Sequence, residues 1–231
     1  MNPQARLDLG RRQRLGMVEA VWGEHKSAHQ IAAILQELTG AGELALVTRV
    51  SAAKAEAVRQ ALVAQEWGDL PLRYDSDACC LVSPEPPLPD PALGRVAVLG
   101  GGSSDLAVAA EARLALACHG VASELVLDVG VAGLHRLLEQ LDGLRRARVL
   151  IVCAGMEGSL PTVVAGLLPQ PVIGVPVAVG YGVSAGGTAA LHGMLASCAP
   201  GLTVVNIGNG YGAAMAALRI IRGSALGGAG P

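Results

Sequence analysis

The chain has 231 residues, of which 52% are hydrophobic, 16% charged and 2% aromatic, without a single Phe, and its mean hydropathy is +0.46. That profile excludes disorder, collagen and a small disulfide scaffold, and it leaves enough Ala, Val and Leu for a sizeable core in one or two domains. Lys+Arg 17 against Asp+Glu 19 gives a formal net charge of −2; with no basic excess to neutralise a polynucleotide, nucleic-acid binding is not expected.

In chain order, a polar helix is expected over 3–20, a second helix over 27–39, a strand at Leu44–Thr48, a helix over 51–66 and a short hairpin at Leu72–Val82. Ser27 and Gln30 have capping-box spacing ahead of Ile31, Ile34, Leu35 and Leu38, and Ser51 is an N-cap before an Ala-rich run. Residues 1–82 therefore read as a small α/β domain. Segment 83–94, SPEPPLPDPALG, holds five prolines in twelve positions. It reads as a linker, because proline neither donates a ladder hydrogen bond nor continues a helix.

From 95 to 231 the apolar runs RVAVLG (95–100), ELVLDV (124–129), RVLIVCA (148–154), PVIGVPV (171–177) and LTVVNI (202–207) alternate with helix-length segments. Runs so continuously apolar suit a parallel sheet covered on both faces. The expectation is a doubly wound α/β domain of five strands and five helices, with function at the C-terminal ends of the strands.

No Asp, Glu, Lys or Arg occurs from Gly158 to Leu218. Prolines at 161, 169, 171, 176 and 200 nevertheless break this stretch short of the roughly 20 apolar residues that a spanning helix needs, so no membrane span is expected. Arg6, Arg11, Arg12 and Arg14 are not followed by the apolar run of a secretory signal. The cysteines, Cys79, Cys80, Cys118, Cys153 and Cys198, are odd in number and lack CxxC spacing, which suits free thiols in a reducing, cytoplasmic compartment. The first four read as core. Cys198 ends the helical run LHGMLASC and reads as a buried structural thiol, unless a cationic substrate activates it.

Each strand is followed by a loop that could carry chemistry. VLGGGSSDLAVAAEA makes Gly100–Ser104 a phosphate-site candidate, through backbone N–H groups and hydroxyls at a strand-to-helix turn; an ordinary tight turn capped by Ser103 fits the same residues. DVGVAGLHR places Asp128 at the rim and His135 early on the next helix, and CAGMEGSLP offers Glu157 as a general base or metal ligand, or else as a solvated loop acid. VGYGVSAGG and NIGNGYG each present a Gly-Tyr-Gly unit, so that Tyr181 and Tyr211 could stack on a ring.

Taken together, GGSSDLAVAAEA, DVGVAGLHR, AGMEGSLPTVVAG, PVIGVPVAVGYG and NGYGAA resemble the LarB family of nickel-pincer nucleotide biosynthesis. The C-terminal half of that family is in turn similar to PurE, the carboxylase/mutase of the purine pathway. The N-terminal counterpart is RLGMVEAVWGEHKSAHQIAAIL. His25 and Gly208 depart from the family, which usually has Gly and Asp there. The resemblance implies carboxylation of nicotinic acid adenine dinucleotide by CO2 or bicarbonate and cleavage of its phosphoanhydride, giving pyridinium-3,5-biscarboxylic acid mononucleotide and AMP.

On that resemblance Cys198 is the nucleophile, falling in the family's NSC-A-P-G segment, and Glu157 is the base. Asp105 and Asp128 hold metal, Mg²⁺, or water, while Gly101, Gly102, Ser103, Ser104, His135 and Ser184 position phosphates. A homo-oligomer is also implied. The alternatives are a PurE-type mutase acting on an aminoimidazole ribonucleotide and a non-catalytic nucleotide-binding module. Ser159 stands where the PurE signature has a histidine before Leu-Pro, which counts against the first.

Overall fold

The computed structural model describes residues 6–226, which form two compact units meeting in sequence between Leu88 and Pro89. That boundary falls inside the proline-rich segment. Pro91–Leu93 of the segment is a 3-10 turn, with the Asp90 side chain accepting from the Ala92 N–H.

In the first unit the helix expected over 3–20 is instead a short α1 (Arg11–Leu15) followed by a strand, β1 (Ala20–Trp22). Residues 3–5 of the expected helix lie outside the described residues. Gly16 ends α1 with φ 67°, and Val18 and Val21 are then buried as β1 pairs in parallel with β2 (Ala45–Thr48). The other elements are α2 (Ala28–Gly40), α3 (Ala52–Ala64), β3 (Arg73–Asp75) and β4 (Cys80–Ser83), and the sheet order is β1-β2-β4-β3. Ser27 and Gln30 form a reciprocal capping box at α2, and Ser51 accepts from Lys54 N–H at α3. Ile31, Ile34, Leu35 and Leu38 of α2 and Val58 and Leu62 of α3 pack with Val21, Val47 and Leu81. Cys80 is buried on β4, but Cys79 is half-buried in the β3–β4 turn with φ 50°, so it is not core.

The second unit is a five-stranded sheet of β5 (Arg95–Gly100), β6 (Ala122–Val126), β7 (Val149–Ala154), β8 (Val172–Pro176) and β9 (Leu202–Val204). All pairings are parallel, in the order β6-β5-β7-β8-β9. Its helices are α4 (Leu106–Ala117), α5 (Leu134–Leu138), α6 (Leu141–Leu144), α7 (Leu160–Leu167), α8 (Thr188–Leu195) and α9 (Gly210–Leu226). Among the described residues this unit has six α-helices rather than five, because the crossover after β6 breaks at Glu139 and Gln140, where Gln140 N–H bonds the Leu137 carbonyl at 3.0 Å in a tight turn. Strand β6 stops at Val126 rather than 129, and Asp128 two residues on takes φ 60°, which leaves the extended region.

Alternate strand residues face opposite layers. Ala97, Leu99, Leu150, Val152 and Ala154 pack with Leu137, Leu144, Val164 and Met194 from α5 to α8, while α4 and α9 pack on each other and on the opposite face. No helix among the described residues is long and apolar enough to cross a membrane.

Helix α8 lies on the loop after β7 with no side chain between them. A Cβ on Gly193 would sit 2.1 Å from the Glu157 carbonyl oxygen, and one on Gly158, already at φ 70°, would sit 2.5 Å from that of Ala190. Gly193→Ala should therefore lower Tm through an overpacking cost of about 1–3 kcal/mol. Gly166→Ala in α7, where a Cβ meets nothing within 4 Å, should raise it by removing roughly 0.5–1 kcal/mol of glycine penalty. Differential scanning calorimetry of the two variants checks the sign of each.

Candidate functional site

The chain leaves β5 to one side for β6 and returns to the other for β7, so the loops after β5 and β7 diverge at their C-terminal ends, the usual position for a ligand crevice in an open parallel sheet. A cleft of about 360 Å³ opens there. Its walls come from Gly101, Gly102, Ser104 and Asp105 after β5, Gly130–Ala132 after β6, Gly155–Glu157 and Ser159 after β7 and Val179 after β8, with Arg136 of α5. Glycine lets these loops touch backbone to backbone: a Cβ on Gly130 would lie 2.6 Å from the Gly101 oxygen, and one on Gly155 would lie 2.2 Å from that of Val179.

Asp105 is 4% exposed and folds back so that its Oδ2 accepts from Gly102 N–H at 2.9 Å. Its Oδ1 is buried without a hydrogen-bond partner. Burial pushes the carboxyl above its usual range, while the N–H groups of Gly102, Gly101 and Gly155 oppose that rise. Glu157 is exposed and accepts from the Ser159 hydroxyl, which holds its carboxyl below the usual range. One acid is thus tuned toward its protonated form and the other toward its ionised form. Such a divided pair can hold a proton at one place and accept one at another.

Of the residues singled out from sequence, Gly101, Gly102, Ser104, Asp105 and Glu157 line this one cleft. Ser103 is exposed on the same 3-10 turn. His135 is exposed near the start of α5 and does not line the cleft; neither does Tyr181, which is 77% exposed, nor Ser184, which is buried. Tyr211 donates its backbone N–H to the buried Glu111 at 2.8 Å. Asp128, the expected metal holder, is exposed and ion-paired to Arg136. No group of three or more His, Cys, Asp or Glu among the described residues could hold a metal ion. Gly208 has φ 64° and donates its N–H to the Pro176 carbonyl at 2.7 Å, a backbone role that brings no carboxylate to the last loop.

Cys198 is exposed rather than buried, and it stands in the loop beyond α8, which ends at Leu195. It is outside the cleft lining. Its neighbour Ser197 accepts from Thr162 Oγ1 of α7 at 2.8 Å and from Ala199 N–H at 3.1 Å. That hydroxyl pair, with the Gly193–Glu157 and Gly158–Ala190 approaches, braces the Cys198 segment to the loop bearing Glu157. Cys153, by contrast, is fully buried on β7, where burial pushes the thiol far up, as do Asp105 and Glu111 nearby, and makes it inert.

Sequence reasoning singled out neither Arg136 nor Met156, although GLHR places Arg136 next to His135 on the helix that follows a rim loop. Met156 takes φ 53° and lines the cleft, a strained conformation for such a side chain that no residue pattern announces.

Residues 95–225 match the family model of AIR carboxylase, and residues 2–84 match that of the LarB/PurE-like N-terminal domain. An uncharacterized protein of Methanocaldococcus jannaschii is 35% identical over 210 residues, covering 90% of this chain and 80% of the relative. The N5-carboxyaminoimidazole ribonucleotide mutase of the same organism is 36% identical over 136 residues, or 54% of this chain and 78% of the mutase. The mutase of Mycobacterium tuberculosis (strain CDC 1551 / Oshkosh) is 39% identical over 92 residues, or 37% of this chain and 51% of the mutase. With both halves matched, in order, the chain belongs to the LarB-like proteins, which join a LarB/PurE-like N-terminal domain to a PurE-like AIR carboxylase domain.

Proposed function

We propose that the protein is a pyridinium carboxylase and phosphoanhydride hydrolase, converting nicotinic acid adenine dinucleotide and CO2 to pyridinium-3,5-biscarboxylic acid mononucleotide and AMP. The observation that carries this reading is the exposed thiol of Cys198, braced through Ser197 and Thr162 to the helix that follows the Glu157 loop. A pyridinium ring is too electron-poor to attack CO2. Thiolate addition at the carbon para to the ring nitrogen neutralises the ring and gives an enamine, whose neighbouring carbon bonds to CO2. Removal of that carbon's proton and expulsion of the thiolate then restore aromaticity. Glu157, ionised and facing the cleft, is the base. Asp105 lines the same cleft, with one buried oxygen that lacks a hydrogen-bond partner, and is the proposed second acid of the site.

Ser104 and the Gly101–Gly102 backbone line the cleft as phosphate contacts, with Ser103 on the same turn. His135, Tyr181 and Ser184, outside its lining, would reach a dinucleotide that extends beyond this volume. The carboxylates present do not make a resident Mg²⁺ cage, since Asp128 is held by Arg136; an ion in the hydrolytic step would arrive on the phosphates. Ser159 in place of a histidine, and the N-terminal domain match, favour this reaction over that of the mutases. A second copy of the chain is the proposed cover for Val183, Tyr181 and Leu195, which are 97%, 77% and 64% exposed.

Incubation of the protein with nicotinic acid adenine dinucleotide, bicarbonate and Mg²⁺ should yield the biscarboxylated mononucleotide plus AMP by mass spectrometry, and Cys198→Ala should lose at least about 10³-fold, as expected when a covalent nucleophile is removed. Product from both proteins would end the thiolate mechanism, and ligand binding without product from either would favour a binding module.

The base must be ionised, so kcat/KM should fall as pH drops through the Glu157 pKa, which lies below the ordinary carboxylate range. Ser159→Ala removes the hydroxyl that lowers it, and the acid limb should shift to higher pH. A limb that stays in place assigns the proton to another group. Sedimentation velocity should give a species heavier than the 23.3 kDa chain; an active monomer would remove the second copy from the proposal.

A further inference from the structure

The cleft is poor in positive charge for a site that takes an anion. Its lining carries two carboxylates, Asp105 and Glu157, and Arg136 is the single cation among the described residues that line it. No later loop can supply another, because the chain has no Lys or Arg from Gly158 to Leu218. Beyond the neutral backbone and hydroxyl donors of the loops, the charged groups that an anion meets here are Arg136 and two carboxylates.

Arg136 is also held ready. The Asp128 carboxylate accepts from Nη1, and Asp128 reaches this position by adopting φ 60° two residues after β6. On the other side the guanidinium folds back over Gly133, where a Cβ would lie 2.6 Å from Nε and 2.8 Å from Nη2. The absence of that methyl is what lets the fork lie against its own helix start. A guanidinium has five N–H donors in one plane, so the contact to Asp128 leaves the remainder of the fork for a second oxyanion. The side chain retains 36% exposure, open to ligand, and its carboxylate partner 65%.

We propose that Arg136 is the oxyanion-recognition residue of the cleft, gripping a carboxylate or phosphate of the substrate, and that Asp128 is its positioning partner rather than a metal ligand. This rests on the cleft being the substrate site, as read above, but not on which reaction occurs there. The pairing also explains a rim acid in a site for anions: Asp128 fixes the direction of the fork, which gives an Arg–oxyanion contact its geometric specificity.

Isothermal titration of the full chain with nicotinic acid adenine dinucleotide, with its carboxamide analogue, with AMP and with carboxyaminoimidazole ribonucleotide tests the assignment. Arg136→Ala should weaken dinucleotide binding on the order of 10- to 100-fold, the usual effect of losing a charge-assisted contact. Arg136→Lys, which keeps charge but not the fork, should recover only part of it. Arg146→Ala makes the same change in net charge on an exposed residue outside the cleft and should bind as wild type. Asp128→Asn should weaken binding less than Arg136→Ala.

Loss confined to the acid form places the ring carboxylate on Arg136, whereas equal loss for both dinucleotides and AMP places a phosphate there. Arg136→Ala binding like wild type would overturn the assignment while leaving the carboxylase reading intact. If wild type instead binds only carboxyaminoimidazole ribonucleotide and Arg136→Ala loses that ligand, the reaction reading fails and the assignment stands. No binding of any of these anions by wild type would overturn both.

Discussion

Everything in the second unit that could perform chemistry depends on loops touching through bare backbone. Gly130 lies on Gly101, Gly155 on Val179, Gly158 on Ala190 and Gly193 on Glu157, each where a Cβ would fall 2.1–2.6 Å from a carbonyl oxygen. Side chains between these loops would spread them apart and lift α8 away from the loop after β7. Close packing of this kind is rigid because neither partner has rotamers to rearrange. It also accounts for much of the glycine at the C-terminal edge of the sheet without any appeal to flexibility. The left-handed Met156 is held by its N–H bond to the Val179 carbonyl at 2.8 Å, and the left-handed Asp128 by its side-chain pair with Arg136.

The same edge concentrates charge in a charge-poor half. Within the cleft Asp105 is pushed toward protonation by burial, Glu157 is drawn toward ionisation by a hydroxyl, and Arg136 is aimed by Asp128. These three groups share the cleft with the apolar side chains of Ala154, Leu160 and Val179. A long run without ionisable residues therefore serves the site as well as the core, because it leaves few competing charges to blur the contrast between the two acids.

How much of this could be read from residues depends on how local the determinant is. The sheet strands were legible because each is a continuous apolar run between turn residues, and the α2 cap because Ser27 and Gln30 satisfy one another within four residues. The five-stranded parallel sheet and the mixed smaller sheet agree with an α/β reading. The helix expected over 3–20 failed because Gly10 and Gly16 confine it to five residues and because β1 is a strand only by pairing with Ala45–Thr48, a partner far along the chain. Cys198 looked buried because its run is apolar, yet its exposure is decided by where α8 ends. The role of Arg136 was invisible for a similar reason: it requires Asp128 in a left-handed conformation, Gly133 without a Cβ and a cleft made by four separate loops.

Ser159 shows how a substitution at one position can redistribute chemistry. A histidine there would titrate near neutrality and handle protons itself. Serine cannot, but its hydroxyl donates to Glu157 and favours the ionised form of that carboxylate, and the proposed reaction gives proton acceptance to this residue two positions away. A base made weaker in this way needs an acidic proton to remove. Under the proposed reaction it has one, since the ring carbon that has bonded to CO2 is tetrahedral, lies beside a new carboxylate and loses its proton as aromaticity returns. The weak base and the thiol nucleophile thus fit one another chemically. The hydroxyl pair Thr162–Ser197 and the Gly193–Glu157 contact tie together the segments that carry them, and the proposed reaction asks a thiolate on one element and a carboxylate on another, 41 residues apart in sequence, to act on a single ring.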